Sequence, residues 1–596
     1  MEGTGLNRTR PYIPIASNRK ENNMPFSGSD SGGFQWEGFD SGAPNQPKPP
    51  RKKPRRAVKS PVTRLLINLG VTLAVGLAYF YLELPALNLQ APDFYAFVLL
   101  LCAVYCGCAV LTSGFEGQGA KHYFKFLKKQ CAVPFFLAVV LVAVAIGGNV
   151  VGSVIFRAKT YAELLPIETG DFAQEVDEIS YDQIPMLDRA SAERLGDRKL
   201  GELSDMVSQF EVMDDYTQIN YRGRPVRIAT LTYMDLIKWF TNRGDGLPAY
   251  LLIDMVTQNV ELVRLEEGIK YTTVEHFGRN LYRHIRFHYP TYMFAQAVME
   301  INEEGVPYWI CPRLVKTIGL FGGVDVKGAV LVNAITGESQ YYEEVPPWVD
   351  NLYPADLIVQ QYDYYGMYHN GFLNSLFGQR DVTVTTDDYN YIAMGDDVWV
   401  YTGVTSTGGD QSNIGFILTN QRTKESKFYS CAGATEHSAM ASAQGQLQHL
   451  QYTATFPLLL NVGGQPTYFM AMKDKAQLVK QYAMVNVQQY QIVATGDTVA
   501  ECEQGYLALL SQNGVVDGNT GLSGTETVEG TIAELRSAVL DGNTVVFIRL
   551  TGSELFYTVS AVDQPLAVIL NEGDRVAVTF RPGEGSILDG VEVVLR

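Results

Sequence analysis

Three stretches of unbroken apolar character, Leu65–Leu82, Phe94–Leu111 and Cys131–Phe156, stand apart from the rest of the chain. Each reaches roughly the 18 to 20 residues needed to cross the hydrocarbon of a bilayer, and none holds a full charge. They predict three transmembrane helices. Beyond them the pattern turns to alternation. Val330–Tyr342, V-L-V-N-A-I-T-G-E-S-Q-Y-Y, is an apolar strand that runs into N-x-x-T-G and out into a second alternating strand, which predicts a hairpin. The phrase recurs at Ile253–Leu262 and Thr419–Phe428, each with Asp or Asn three residues before Thr257, Thr336 or Thr423, and more faintly at Met484–Tyr490. Those hydroxyls are expected to bond local backbone.

A second phrase, N-x-x-G-x-P, precedes three of these hairpins: Asn220-Gly223-Pro225, Asn302-Gly305-Pro307 and Asn461-Gly464-Pro466. Gly suits the turn, and Pro suits a strand position that needs no donor. Met394–Tyr401 is a degenerate member ahead of Asn420, which makes four units of about 80 residues. Between hairpins lie helical stretches. Phe277, Leu281 and Ile285 form an i, i+4, i+8 stripe in Val274–His288; Met440, Ala443, Leu447 and Leu450 do likewise in Ala434–Leu450, and Pro354–Tyr365 is a third. The expected class is therefore α+β, each unit a helix laid on a small antiparallel sheet.

The expected organisation is a tail over residues 1–60, three membrane helices over 61–156, a stalk over 157–206 with short helices near Ser191–Leu203, the repeats over 207–512, a flexible linker over 513–530 and a small barrel over 531–596. The tail is rich in Gly, Ser, Asn and Pro and cannot bury enough to fold alone. The barrel rests on five alternating strands near Thr531–Leu535, Thr544–Leu550, Leu555–Val559, Arg575–Phe580 and Gly590–Leu595. They resemble an OB-type barrel, with an SH3-like one as runner-up.

Charge sets a direction. Residues 1–154 carry 16 Lys and Arg against 8 Asp and Glu, so the remainder holds −25 of a net −17. The run Arg51–Arg56 precedes the first helix, and Lys121, Lys125, Lys128 and Lys129 separate the second from the third. The loop between the first two offers only Glu83 and Asp93. The positive-inside rule then puts the N-terminus in the cytoplasm and everything after Phe156 outside. In the third helix Gly148-x-x-x-Gly152 is a candidate packing seam, either between two copies of the chain or, the expected case, against the other two helices.

Candidate chemistry is sparse. Cys431, His437 and Ser438 are the nearest approach to a nucleophile and base, without a nucleophile signature around them. His284 and His288 have a ligand spacing but no companion Glu in H-E-x-x-H. Asp387-Asp388 and Asp396-Asp397 lack the calcium-loop ladder. Gly319–Gly323 is followed by no Lys-Ser/Thr. Cys102, Cys106, Cys108 and Cys131 sit in or beside apolar runs, and Cys311, Cys431 and Cys502 are widely spaced, so neither a disulfide framework nor a metal site is expected. No catalytic residue, metal or cofactor is assigned. Arg279, Arg283 and Arg286 are the one cationic cluster of the acidic part, expected on the face opposite the Phe277 stripe, either paired with the protein's own carboxylates or open to an anionic cell-wall polymer, lipid headgroup or acidic partner.

The helix-then-strands units ending in V-N-A-I-T-G-E-S resemble PepSY-type modules of bacterial exported and membrane-anchored proteins. Such modules are taken to be non-catalytic and in some families to restrain peptidases. With Leu320–Val326, Tyr353–Gly366 and Gln491–Cys502, the whole resembles a family of uncharacterised membrane proteins of Gram-positive bacteria. The expectation is a bacterial plasma-membrane protein whose outer part is a non-catalytic scaffold or regulatory binding protein. Its partners would be the bilayer and an envelope protein or anionic wall polymer rather than nucleic acid. An envelope hydrolase with dispersed residues, or a subunit of a transport or secretion complex, is the alternative.

Overall fold

The structure, a computed structural model, describes residues 60–113, 120–178, 184–386, 388–408, 412–516, 526–540, 543–561, 564–580 and 585–596. The basic tail, the middle half of the linker and Asp387 lie outside the described residues.

Helix α1 (Pro61–Glu83) starts where Ser60 Oγ accepts from Thr63 N at 3.4 Å and Pro61 fills the first position, whose missing N–H costs nothing there. It stops at Leu84, a left-handed residue whose N–H closes the last turn on Phe80 O. Helices α2 (Pro92–Ser113) and α3 (Ala120–Val151) complete a set of three that are long and apolar enough to cross a membrane, α3 from Lys128 onward. Their apolar side chains point outward, the reverse of the rest of the chain, and lipid is the solvent that suits such a surface.

α4 (Val154–Ala162) follows after a break at Gly152 and Ser153. From there to α6 the chain is not a stalk. It is a strap laced through the body, made of β1 (Glu168–Gly170), α5 (Phe172–Glu175) and α6 (Arg189–Gly201). Leu165, Phe172, Val176, Ile184, Leu187 and Ala192 are all buried, spread over four separate clusters of core side chains.

Four modules follow with one topology. The first has β2 (Phe210–Val212), β3 (Thr217–Tyr221), β4 (Arg224–Tyr233), α7 (Leu236–Asn242), β5 (Leu247–Asp254) and β6 (Val260–Ile269). The second has α8 (Leu281–His288), β7 (Met293–Phe294), β8 (Val298–Ile301), β9 (Pro307–Ile318), β10 (Gly322–Asn333) and β11 (Ser339–Tyr342). The third has α9 (Ala355–Tyr368), β12 (Thr383–Thr385), β13 (Asn390–Met394), β14 (Asp397–Ser406), β15 (Ser412–Asn420) and β16 (Ser426–Ala434). The fourth has α10 (Glu436–Gln446), β17 (Thr453–Ala454), β18 (Leu458–Val462), β19 (Gln465–Lys473), β20 (Val479–Asn486) and β21 (Val493–Gly496), and α11 (Val499–Gln512) closes it. In every module the first two strands pair with the third, the third with the fourth and the fourth with the fifth, all antiparallel. β1 adds to the third sheet in parallel, beside β16.

The repeated phrases form the same turn each time. Asp254, Asn333, Asn420 and Asn486 Oδ1 each accept from the N–H groups two and three residues on, at 2.7–3.1 Å. Thr257, Thr336 and Thr423 Oγ1 then accept from the N–H two residues further, at 3.2–3.4 Å. These side chains satisfy donors that the end of the ladder would otherwise orphan.

Modules pack in pairs, which the repeat period does not show. The first and second share a core in which Ile228 and Tyr250 meet Trp309 and Val330, with Leu281 and Ile285 of α8 between them. The third and fourth share another, where Tyr401 and Phe416 meet Tyr468 and Met470 beside Ala439 and Ala443 of α10. The outer sheet faces are covered in turn by α6, the 345–353 segment, α9 and α11. Sheets buried on both faces need continuous apolar strands, and β14 and β19 are buried along nearly their whole length.

A closed five-stranded barrel ends the chain: β22 (Glu526–Leu540), β23 (Asn543–Leu550), β24 (Phe556–Ser560), β25 (Arg575–Phe580) and β26 (Ile587–Leu595). β22 begins at Glu526 and pairs with β25 through Thr531, so the expected linker gives up its last residues to a strand.

Candidate functional site

The densest set of unusual contacts lies where α1, α2 and α3 meet the body. The last carbonyls of a helix have no partner within it, and they carry the negative end of its dipole. Arginines of the body supply what α1 lacks. Arg283 Nε donates to Tyr81 O at 3.1 Å with its guanidinium 4.3 Å from the Tyr81 ring centroid. Arg286 Nε donates to Leu84 O at 2.9 Å, and its Nη1 donates to Tyr292 O at 2.5 Å. Burial draws the Arg286 guanidinium down from its ordinary value.

This corrects the expected free cationic face. Arg286 is 9% exposed, and the helix begins only at Leu281, capped by Asn280 Oδ1. Phe277 sits four residues before it, at φ 52°, with its ring exposed. The helical count holds only from Leu281 onward, so Phe277 and Arg279 fall outside it, while Arg283 and Arg286 keep their helix positions on a face that the end of α1 covers. Leu281 and Ile285 are core as expected; Arg279, half-buried, donates to Arg243 O.

The connection between α1 and α2 is docked too. Leu87 N donates to Pro290 O at 2.8 Å, Asn88 Nδ2 to Thr291 O at 2.9 Å and Gln90 Nε2 to Lys316 O at 3.0 Å. On the other side, Gly148 and Gly152 receive the tip of the β9–β10 hairpin. A Cβ on Gly148 would stand 2.7 Å from the Phe321 ring, and one on Gly152 would stand 3.2 Å from Ile318 O. Phe321 packs edge-on against Tyr95 of α2 at 5.4 Å, and Tyr161 Oη donates to Gly152 O at 2.8 Å. The small residues admit a hairpin, where the sequence had pointed to a neighbouring helix. No feature of the third helix itself names that partner.

A second constellation was not foreseen. Glu300 on β8 is fully buried and accepts from Asp350 N and Asn351 N, both at 2.8 Å, and from Asn351 Nδ2 at 3.1 Å. Asp350, also buried, accepts from Asn220 N at 2.6 Å, while Asn220 Nδ2 donates to Gly395 O at 3.2 Å. Turns of the first and third modules thus meet a strand of the second around two carboxyls. Burial pushes both up, and the charge of Glu300 pushes Asp350 further. With three donors on Glu300 and one on Asp350, the proton belongs on Asp350. The only mark in sequence is one acid inside V-M-E-I.

The sparse chemical candidates are held by structural partners. His284 Nε2 lies 2.8 Å from Gly337 O and His288 Nδ1 2.8 Å from His284 O. Cys431 is buried, which pushes its thiol up to about 11. Ser438 Oγ is 3.0 Å from Thr435 Oγ1 at the cap of α10, and His437 lies 3.8 Å from Asp388. Asp397 is gripped by Arg422 at 2.6 and 2.7 Å and by Asn420 Nδ2 at 2.7 Å. Among the described residues no three His, Cys, Asp or Glu gather as metal ligands, and the seven cysteines are unpaired.

No protein-family model matches the chain, and no curated protein matches it at a significant level. Among solved structures it aligns with a point variant of B. megaterium levansucrase at 10% identity over 72% of this chain and 98% of that one, TM-score 0.17. It aligns with Bacillus subtilis levansucrase at 10% identity over 72% and 97%, TM-score 0.16. Scores that low carry no argument about fold or activity.

Proposed function

We propose that this chain is a membrane-anchored scaffold or regulatory binding protein of the bacterial cell envelope, non-catalytic, with its body outside the plasma membrane and its N-terminus in the cytoplasm. The observation that carries the reading is the junction: the body grips α1 through Arg283 and Arg286, the α1–α2 connection through Pro290, Thr291 and Lys316, and α3 through the β9–β10 tip. A body fixed to its helices at three places holds its binding faces at a set height and orientation over the membrane. A helix followed by strands of constant order in the second, third and fourth modules supports the PepSY-like reading. The barrel order β22-β23-β24-β26-β25, with β24 and β26 parallel, supports the OB-like reading.

Photo-crosslinking in intact membranes followed by pull-down tests this. A defined envelope protein or wall polymer joined to the modules is expected; hydrolysis of wall material by the purified chain, with no partner recovered, would overturn it. For orientation, a cysteine replacing Lys475 is expected to react with an impermeant maleimide in protoplasts and one replacing Lys125 is not. The reverse pattern would invert the topology.

One observation favours the complex-subunit reading as well. An apolar cavity of about 490 Å³ opens between α1 and α2, lined by Leu69, Leu73, Gly76, Leu77, Phe97 and Leu101. Crosslinks from Leu73 to a polytopic protein would decide for that reading.

A further inference from the structure

Two patches of exposed apolar side chains lie where the helices leave the body. The first surrounds α7, a short helix with no buried residue that exposes Leu236, Ile237 and Phe240. Phe277 adds to it, 64% exposed with its ring 6.1 Å from that of Trp239. The patch is continuous with the end of α1: Arg283 donates to both Phe277 O (2.7 Å) and Tyr81 O (3.1 Å), and the exposed Phe287 packs edge-on against Phe80 at 5.5 Å.

The second patch is the turn of π-helix Asn374–Gly378, where Leu373, Leu376 and Phe377 stand exposed, Phe377 by 83%. A ladder of rings joins it to α3. Tyr161, bonded to Gly152 O, meets Tyr364 at 4.8 Å; Tyr364 meets Tyr368 at 6.2 Å, and Tyr368 meets Phe372 at 6.3 Å. One patch therefore flanks the exit of α1 and the other the exit of α3.

Cations stand beside both patches in a chain of net charge −17: Lys238, Arg243 and Arg279 at the first, with Asp235 and Asp245, and Arg380 at the second, with Asp381. Arg243 lies over the rings of Trp239 (5.2 Å) and Phe240 (4.7 Å). Large apolar and aromatic side chains beside cations are what the boundary between acyl chains and headgroups selects, with the cations reaching phosphate. Continuity with helix surfaces that already face hydrocarbon favours lipid over a protein occupant.

We propose that both patches are seated in the leaflet on the body's side. Helix α7 lies in the interfacial plane, Leu373, Leu376 and Phe377 form a wedge on the far side of the helix bundle, and the body rests on anionic phospholipid at two supports. This rests on the reading of the three apolar helices as a membrane anchor.

The test uses the full chain in native membranes with benzoylphenylalanine at Leu236, Phe240 or Phe377, at Leu73 as a bilayer reference and at Leu478, exposed on the fourth module, as a water reference. Phospholipase-sensitive lipid adducts at 236, 240 and 377 in yields comparable to 73, and none at 478, are expected. Lipid adducts at 73 alone, or protein adducts at 236 and 377, would overturn the two supports and leave the anchor standing. Neither a lipid adduct nor a polytopic-protein adduct at 73 would overturn the anchor and the supports together. As a second arm, converting Lys238, Arg243 and Arg279 to Gln is expected to lower adduct yield at 236 and leave it unchanged at 73; equal yields would remove the phosphate contacts from the proposal.

Discussion

Replacing Arg286 with Ala separates a buried anchor from a surface charge. The change removes two short charge-assisted hydrogen bonds, to Leu84 O at 2.9 Å and Tyr292 O at 2.5 Å, and strands both carbonyls in a half-closed site. Hydrogen bonds to charged groups contribute about 1.5–3 kcal/mol each; because the two share one side chain they do not simply add, and about 3 kcal/mol is the expected loss. Unfolding of a membrane-anchored multimodule chain has no single equilibrium constant, so the readout must be local. Leu87 N–H, bonded across the junction to Pro290 O, reports opening directly. Its hydrogen exchange is expected to accelerate on the order of 100-fold, since each 1.4 kcal/mol is tenfold. Arg279→Ala, which loses one exposed contact, is expected to change it less than about threefold, within the ~0–1 kcal/mol of surface charge contacts. Arg286→Lys restores charge without the fork that reaches two carbonyls, and is expected to fall between. Equal exchange at Leu87 in the Arg286 and Arg279 variants would refute the assignment of Arg286 as the clamp on α1.

Gly148→Ala is expected to loosen the hairpin tip, seen as faster exchange over residues 316–324, and a smaller residue at Phe321 to restore it, because the clash at 2.7 Å is with a ring that can be trimmed. Gly152→Ala has backbone oxygens at 3.0 and 3.2 Å on both sides, so trimming Phe321 is expected not to rescue it. Asn333→Ala removes the acceptor of two N–H groups and is expected to cost about 1–2 kcal/mol in local opening of the β10–β11 turn by the same exchange measurement. Glu300 and Asp350 have native carboxyls raised above their unfolded values, so the native state holds more protons and stability falls as pH rises from about 4 toward neutrality and beyond. Local opening read from hydrogen exchange at Asn351 N–H, normalised to its intrinsic rate, is expected to become easier over that range in the wild type and to depend less on pH in Asp350→Asn; an unchanged slope would remove the pair as its cause.

The modules were legible because their turns are local chemistry. An Asx oxygen, a Thr hydroxyl and a residue at positive φ such as Lys424 or Gly337 act within six residues, so sequence spacing is the structure. The barrel strands alternate and were legible for a similar reason. The paired cores were not, because a strand buried on both faces carries no sign of which sheet it meets. The strap was hidden for a different reason: Leu165, Phe172, Val176, Ile184 and Leu187 share no common face, Phe172 and Val176 going to one core and the other three each to a different one. The arginines were located correctly as residues and wrongly as a surface: Phe277 at positive φ leaves Arg279 outside the helix, and the end of α1, far away in sequence, covers Arg283 and Arg286.

The strap also sets an order of assembly. Lys424 Nζ donates to Leu164 O, Asn461 Nδ2 to Val176 O and Lys473 Nζ pairs with Asp188, contacts that span 260, 285 and 285 residues. At about 5–20 residues per second of synthesis, Leu164, Val176 and Asp188 wait on the order of 10 to 60 seconds for the groups that will hold them. In that interval β1 has no β16 to pair with, and Val176 and Ile184 have no core. The first and second modules close on one another early, whereas the segment made just before them settles last, when the third and fourth arrive. Until then a newly made chain carries an unpaired strand and bare apolar side chains beside its membrane helices, and it is during that wait that a holding chaperone has something to grip.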